Sequence, residues 1–394
     1  MLPLAGLRIV AVEQYGAGPF GSMALADLGA EVIKIENPRE GGDVSRSVGP
    51  HFFAPGDSQF FHAFNRNKRS LTLDLKHPAA ERVLHRLVRS ADATFDNLRG
   101  DLAEKLGLTY DRLAPINPRI VCAHLSAYGR EGPRKAWPGY DYLMQAEAGY
   151  LAVTGEPDGP PSRMGLSIVD LMTGLNAAFA TVSGILSARA TGKGRDIDVN
   201  LFDTALQNLC YLAVWYLNGG HNQGREPRSA HPSLVPSQLY RTRDGFIFIM
   251  CNKEKFWPEL CRAIGRPEWS EHPDYKDFTA RRTNRDRLTR QLDEALSART
   301  TAEWIEILGG RVPAAPVYDV AGALDSPFVA QSGRVRSLDH GGAAIRLLAP
   351  AVHCRGEELP CRPAPALGAD TEAVLAEAGF TAADIADLRR SGAV

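Results

Sequence analysis

LRIVAVEQYGAGPFGSMALADLGAEVIKIE, residues 7–36, decides the fold. Leu7–Val12 is a nearly continuous apolar run, the pattern of a strand buried on both faces. The turn Gly16-Ala17-Gly18-Pro19-Phe20-Gly21 follows, and a helix is predicted over Pro19–Leu28, with proline in its first turn, where a missing N–H costs nothing. Glu31–Ile35 is a second strand. Strand, crossover helix and strand with short connections imply a parallel sheet with helices on its faces.

The same turn satisfies G-x-G-x-x-G after a strand and before a helix, with Glu36 placed to hold a ribose hydroxyl. Taken alone this reads as a nicotinamide-dependent oxidoreductase. Pro19 inside the motif, and Lys34 and Arg39 flanking Glu36, tell against that reading. The glycines still let a phosphate or carbonyl approach backbone N–H groups at a helix N-terminus.

Outward from this unit the alternation continues. Leu71–Leu73, Ala93–Phe95, Ile120–Leu125 and Arg195–Asn200 read as strands; Pro78–Arg89, Leu171–Ala190 and Leu201–Leu217 read as helices. Residues 218–236 are polar and rich in Gly and Pro, so they read as a linker. Beyond it the pattern is α+β. Gln238–Arg241 and Phe246–Met250 flank the hairpin signal Asp244-Gly245, and helices follow at Glu254–Ile264, Asn284–Ser297 and Thr301–Leu308. A Pro-rich second linker, 313–330, leads to a tail ending in two short helices. The fold class is α/β, with a Rossmann-like parallel-sheet domain and a smaller α+β domain at 237–312.

Composition sets the bounds. A chain of 394 residues is too long for one simple core, so two domains are expected. A net charge of -1 argues against a nucleic-acid or membrane-surface partner, either of which would call for a basic excess. No run approaches the roughly 18 apolar residues that span a bilayer. The N-terminus lacks a basic n-region, so no signal peptide is read. Six scattered cysteines form no C-x-x-C pair and indicate reduced thiols in a cytoplasmic protein. His353-Cys354 with Cys361 finds no second ligand pair, so no metal is expected.

Four stretches carry chemistry. The first is TGEPDGPPSRMGLSIVDLMTG, 154–174, where a turn-rich loop delivers a lone carboxylate, Asp170, to the entrance of an apolar helix. The plain reading of such an acid is a helix cap. The second is Asn65-Arg66-Asn67-Lys68-Arg69-Ser70-Leu71-Thr72-Leu73-Asp74-Leu75-Lys76, with four cations in a short span. A charge run is usually a solvated face; it is also what phosphates require. The third is Asp96-Asn97-Leu98-Arg99 with Lys105 downstream, and the fourth is Tyr128-Gly129-Arg130-Glu131-Gly132-Pro133 followed by Pro138-Gly139-Tyr140-Asp141.

Together these stretches resemble the class III CoA-transferase family, the formyl-CoA and carnitine CoA-transferase group related to the α-methylacyl-CoA racemases. The resemblance covers nearly the whole chain and is strongest over 7–205. It implies that Asp170 is a covalent nucleophile and that the Gly16-Ala17-Gly18 loop lines a coenzyme A site. It further implies that Arg39, Leu73, Lys76, Asn97, Leu98, Arg99 and Lys105 contact CoA, and that Tyr140 and Asp141 lie near the thioester. Acyl-CoA and a small carboxylic acid are then substrates, with no permanently bound cofactor. The resemblance also implies an interlocked homodimer and a tail, 331–394, that rejoins 1–217. The chain departs from the family at Leu98, where an aromatic is usual, at Gly100-Asp101 in place of Pro-Gly, and in the linker, which lacks the glycine run of formyl-CoA transferases. The racemases carry His where Tyr140 stands; a phenol is a poor base near neutrality, so transferase is favoured over racemase.

Overall fold

The computed structural model describes residues 1–394. Six strands form one sheet: β1 (Arg8–Val12), β2 (Glu31–Glu36), β3 (Arg69–Thr72), β4 (Ala93–Asp96), β5 (Val121–Ser126) and β6 (Arg195–Asn200). Their order is β3-β2-β1-β4-β5-β6 and every pairing is parallel. The order reverses between β1 and β4. In doubly wound sheets that switch point opens a crevice at the carboxyl ends of the strands, where ligands bind.

Each face of the sheet is covered. Val10, Val12, Ile33, Ile35, Leu71 and Leu73 share one face, by the period-two alternation of a strand. They pack under α3 (Ala80–Val88) and the tail helices α11 (Thr371–Glu377) and α12 (Ala382–Arg390) through Val83, Leu84, Val374, Leu375 and Leu388. The tail also completes the sheet edge. Asp370 and Thr371 accept the β3 N–H groups of Ser70 and Thr72, at 2.9 and 3.0 Å, and Asp74 N–H reaches the Ala393 carbonyl at 2.8 Å.

On the other face α1 (Ala17–Asp27) crosses α5 (Ile168–Thr191). Small residues meet there: a Cβ on Gly21 would run into the Gly174 carbonyl, and a Cβ on Gly174 into the Ala17 carbonyl. Backbone therefore lies on backbone. Farther along α5, Gly184 seats the helix on Val121 and Ile197 of β5 and β6. Helix α5 is long and apolar enough to cross a membrane by length and composition, although no uninterrupted apolar run marks it; half of its most apolar 18-residue window is buried in the fold.

The chain divides into two compact units, and the smaller comprises Gly149–Arg163 and Asn218–Gln331. Its antiparallel sheet is β9 (Ala314–Pro316), β8 (Phe246–Met250) and β7 (Ser237–Arg241), in that order. Helices α8 (Phe256–Ala263), α9 (Arg285–Leu296) and α10 (Thr301–Leu308) pack on it around Tyr240, Trp257, Leu288, Leu292 and Trp304.

The boundaries expected from the sequence change in three places. Residues 149–163 leave the larger unit, because Arg225 binds the carbonyls of Glu156, Gly159 and Pro160 at 3.1, 2.6 and 2.8 Å. The 313–330 stretch is not a plain linker: Ala314–Pro316 pairs with β8. The single helix expected over Leu201–Leu217 is two, α6 (Leu201–Asn208) and α7 (Tyr211–Gly219), broken where Cys210 takes a φ of 50°. A hairpin of β10 (Val335–His340) and β11 (Ala343–Leu348) belongs to the larger unit.

The α1–α5 crossing yields a stability test. Gly174→Ala should cost about 3 kcal/mol, the upper range for overpacking, because its Cβ meets main chain that cannot rotate away. Gly165→Ala, whose Cβ meets nothing within 4 Å, is the reference. Urea midpoints compare the two; equal midpoints would refute the backbone contact.

Candidate active site

Asp170 lies in the first turn of α5, 9% exposed. It is not the cap. Asp141, the first residue of α4 (Asp141–Glu147), accepts the Asp170 N–H on Oδ2 at 2.9 Å. One helical turn on, the buried Gln145 donates to Asp141 Oδ1 at 2.5 Å and to the Leu166 carbonyl at 3.1 Å, and accepts the Met164 N–H at 2.9 Å. Asp141 and Gln145 thus do the capping and hold the loop that leads into α5. The Asp170 carboxylate is left for other work.

Its titration shows the consequence. Burial, and then the charge of Asp141, push the Asp170 carboxyl up to about 7. A group half-ionised near neutrality, buried and without hydrogen bonds to its charged form, is a strongly basic carboxylate. The neighbouring element is Gly16: a Cβ there would sit 2.7 Å from Asp170 Oδ2, so only glycine lets the loop after β1 approach the acid. Ala17 and Gly18 open α1, where first-turn N–H groups have no intrahelical acceptor. Gly18 also makes room for Asn97, whose side chain would lie 2.7 Å from its Cβ. Asn97 clasps the Gln14 peptide from both sides, taking its N–H at 2.9 Å and its carbonyl at 2.7 Å.

A groove of about 230 Å³ runs along the carboxyl ends of β1 to β4. Leu73, Lys76 and Leu98 line it, and Lys76 is exposed. Arg39 lies alongside, with Nε 3.2 Å from Asp74 in the same groove. Lys105 lines a second cavity of about 370 Å³ that shares Leu75 and Leu106 with the first. Lys105 and Arg99 both pair with Asp101, at 2.7 and 2.5 Å, and hold its carboxyl below the ordinary range. Tyr140 is 62% exposed, its ring 6.3 Å from that of Tyr15.

Apart from Tyr140, which stands exposed beside Tyr15, the expected residues fall into three groups. Asp170, Gly16, Ala17, Gly18 and Asp141 assemble around the start of α5. Leu73, Lys76, Leu98 and Arg39 assemble at the groove. Asn97, Arg99 and Lys105 have their polar groups engaged within the protein. Of the four cations in 65–76, three are structural. Arg66 is bidentate to Asp27, at 2.8 and 2.5 Å, and Arg69 binds Glu31 and Glu377. Lys68 is buried on Glu13 and on the Pro19 carbonyl, at 2.7 and 2.9 Å, with its ammonium lowered by burial to about 8. Gln145 is the functional residue that sequence reasoning missed. Its only local signal is the four-residue spacing from Asp141.

The dinucleotide alternative loses its acid, and the buried histidine nearest the strand ends offers the racemase alternative no substitute for the one that Tyr140 replaces. Glu36, the ribose-binding acid of the dinucleotide reading, is buried and held by Arg46 at 2.8 and 2.7 Å and by Ser70 at 2.6 Å. Burial raises its carboxyl, and Arg46 and Lys34 bring it below the ordinary value. The buried His124 bridges Asp96 and Asp196 at 2.6 and 2.9 Å; burial disfavours its charge, but the two acids raise it to about 9. An imidazole paired with two acids and held on the charged side at neutral pH is a poor shuttle for an α-proton.

Comparison with known proteins bears on the chain as a whole. The model of CoA-transferase family III matches residues 4–371. Succinyl-CoA:glutarate CoA-transferase of Homo sapiens is 32% identical over 378 residues, covering 95% of this chain and 86% of that protein. Acetyl-CoA:oxalate CoA-transferase of Acetobacter aceti is 35% identical over 331 residues, covering 83% and 84%. Among solved structures, a CAIB/BAIF family protein from Brucella suis superposes with a TM-score of 0.82 at 32% identity, covering 96% of this chain and 99% of that one.

The raised Asp170 predicts an inverted pH dependence of stability. The native state binds this proton more tightly than the unfolded chain, where the carboxyl titrates near 3.8. Its contribution is therefore full below about pH 4, falls as pH rises towards 7, and is constant above. Relative to Asp170→Asn, the wild type should lose roughly 4 kcal/mol between pH 4 and pH 8. Parallel stability curves for the two proteins, from urea unfolding across that range, would show that Asp170 is not raised.

Proposed function

The chain belongs to CoA-transferase family III and is a CoA-transferase, and from that premise we propose that it moves CoA from an acyl-CoA to a free carboxylic acid through covalent intermediates on Asp170. One observation carries the reading: a buried carboxylate, free of any capping bond and pushed up towards 7 by burial and by Asp141, stands where the glycine loop of the sheet's switch point meets α5.

The steps follow from that group. Ionised Asp170 attacks the thioester carbonyl carbon, the C–S bond breaks, and an acyl–aspartyl anhydride and CoA thiolate result. The thiolate attacks the aspartyl carbonyl, expelling the donor acid as its carboxylate and leaving an aspartyl–CoA thioester. The acceptor carboxylate attacks that thioester, forming a second anhydride and freeing the thiolate. The thiolate then takes the acceptor acyl group and Asp170 leaves as a carboxylate. Burial leaves the nucleophile poorly solvated and basic. The N-terminus of α5 favours its anion, and the Ala17 and Gly18 N–H groups supply donors for each tetrahedral oxyanion.

The groove is the proposed seat of the CoA nucleotide, with Leu73 and Leu98 against its apolar parts and Lys76 and Arg39 on its phosphates. Lys105 and Arg99 reach those phosphates by exchanging Asp101 for them. Acceptors are small carboxylic acids, in keeping with the glutarate and oxalate of the relatives' names. A homodimer is part of the proposal. Leu175, Phe179 and Leu186 on α5, and Tyr216 and Leu217 on α7, are apolar and 49–78% exposed, an unusual amount for a solvent-facing surface. An interlocked pair, with each active site completed by the partner's smaller unit, would cover them and exclude the water that hydrolyses anhydrides.

Asp170→Ala should abolish transfer while leaving CoA affinity within about threefold, since the acid makes the bond and the groove holds the nucleotide. Hydroxylamine added with acyl-CoA should convert wild-type Asp170 to a hydroxamate detectable by peptide mass spectrometry. Turnover with that peptide unmodified would remove the covalent route.

Lys76→Ala tests the groove. A phosphate contact is the same in ground and transition states, so KM should rise roughly tenfold for every acyl-CoA, about 1–2 kcal/mol, with kcat unchanged. A fall in kcat at constant KM would place Lys76 at the chemistry and empty the groove of CoA.

A further inference from the structure

Asp57, His62 and His340 converge from distant parts of the larger unit. Asp57 opens a two-residue strand, His62 lies on α2 (Gln59–Asn65), and His340 ends β10, 283 residues after Asp57. His62 Nε2 is 2.7 Å from Asp57 Oδ1, and His340 Nε2 is 2.6 Å from Oδ2. The imidazole rings stand 4.6 Å apart at 77°, and Phe53 packs edgewise on both. All three candidate ligand atoms lie within 4.8 Å of one another. His62 is buried, whereas Asp57 and His340 each keep about a quarter of their side chains in solvent. The transfer chemistry uses none of them.

From this convergence we propose that Asp57, His62 and His340 form a binding site for a divalent transition metal, most suitably Zn²⁺, which fastens the β10–β11 hairpin to α2. Two imidazole nitrogens and one carboxylate suit Zn²⁺, Cu²⁺ or Ni²⁺, whereas Mg²⁺ and Ca²⁺ call for oxygen donors throughout. Zinc bonds of about 2.0–2.1 Å at tetrahedral angles place ligand atoms about 3.3 Å apart, so each N···O distance need open by only about 0.6 Å. The exposed side leaves the fourth position to water.

The geometry also sets the strength. His62 Nδ1 is buried with no partner. Tight zinc sites give that second nitrogen an acceptor, and lacking one costs roughly 10–100-fold in affinity. Binding should therefore be reversible, with Kd on the order of micromolar, not the near-permanent hold of a structural zinc finger.

The test uses the full chain, dialysed against EDTA and then titrated with Co²⁺ and Zn²⁺. One Co²⁺ per chain should bind with visible d–d bands and without a thiolate charge-transfer band, and Zn²⁺ should compete for it and raise Tm. His340→Gln and Asp57→Asn should each weaken binding at least tenfold, while His353→Gln, beside the surface thiol Cys354, should not. Both positions are partly exposed, so the variants should fold; unchanged far-ultraviolet circular dichroism checks that. Absence of saturable binding up to millimolar metal, a thiolate band, or full binding in His340→Gln would each overturn the site.

Discussion

Everything around Asp170 depends on two peptide backbones that touch. Gly21 and Gly174 carry no side chains, and so α1 and α5 meet main chain to main chain. That contact fixes the distance between the loop leaving β1 and the first turn of α5. Gly16 extends the same logic to the acid itself. Two glycines on the helices and one in the loop before α1 thus bring the N-termini of both helices to one place. A helix N-terminus favours negative charge. Two of them facing one carboxylate, under low solvation, are suited to a group whose negative charge must come and go.

A second economy lies in the charges. Near the carboxyl ends of the first strands, Glu13, Lys34, Glu36, Asp43, Arg46 and Lys68 are buried and largely matched with one another. A buried ion pair adds little net stability compared with apolar packing, but breaking one strands its partner. Such a network gives one geometry and resists others. It shapes the loop from which the groove is made.

Much of the larger unit is legible in the sequence because strands buried on both faces must be apolar runs, and the helices between them show their caps and glycines. What stayed hidden depends on partners far along the chain. Ala314–Pro316 sits among prolines and reads as a linker; only its ladder with β8 makes it a strand. Cys210 breaks a helix without glycine or proline to mark the place. The cations at 66, 68 and 69 look like phosphate ligands until Asp27, Glu13 and Glu377 come beside them. Asp170 reads as a cap because the acid that does the capping stands 29 residues earlier. The family motif points to Asp170, but only tertiary structure shows why its carboxylate is free.

The return of residues 368–393 to the edge of β3 has a consequence for biosynthesis. The ribosome makes β1 to β6 first, then residues 218–331 of the smaller unit, and only afterwards the segment that binds the N–H groups of Ser70, Thr72 and Asp74. Until then β3 is an open edge beside the apolar face that α11 and α12 will cover. Open edges recruit other chains. The larger unit is therefore a discontinuous folding unit whose vulnerable period lasts as long as translation of the insertion. Slow synthesis there, or a chaperone holding that edge, would govern yield in the cell more than the stability of the finished sheet.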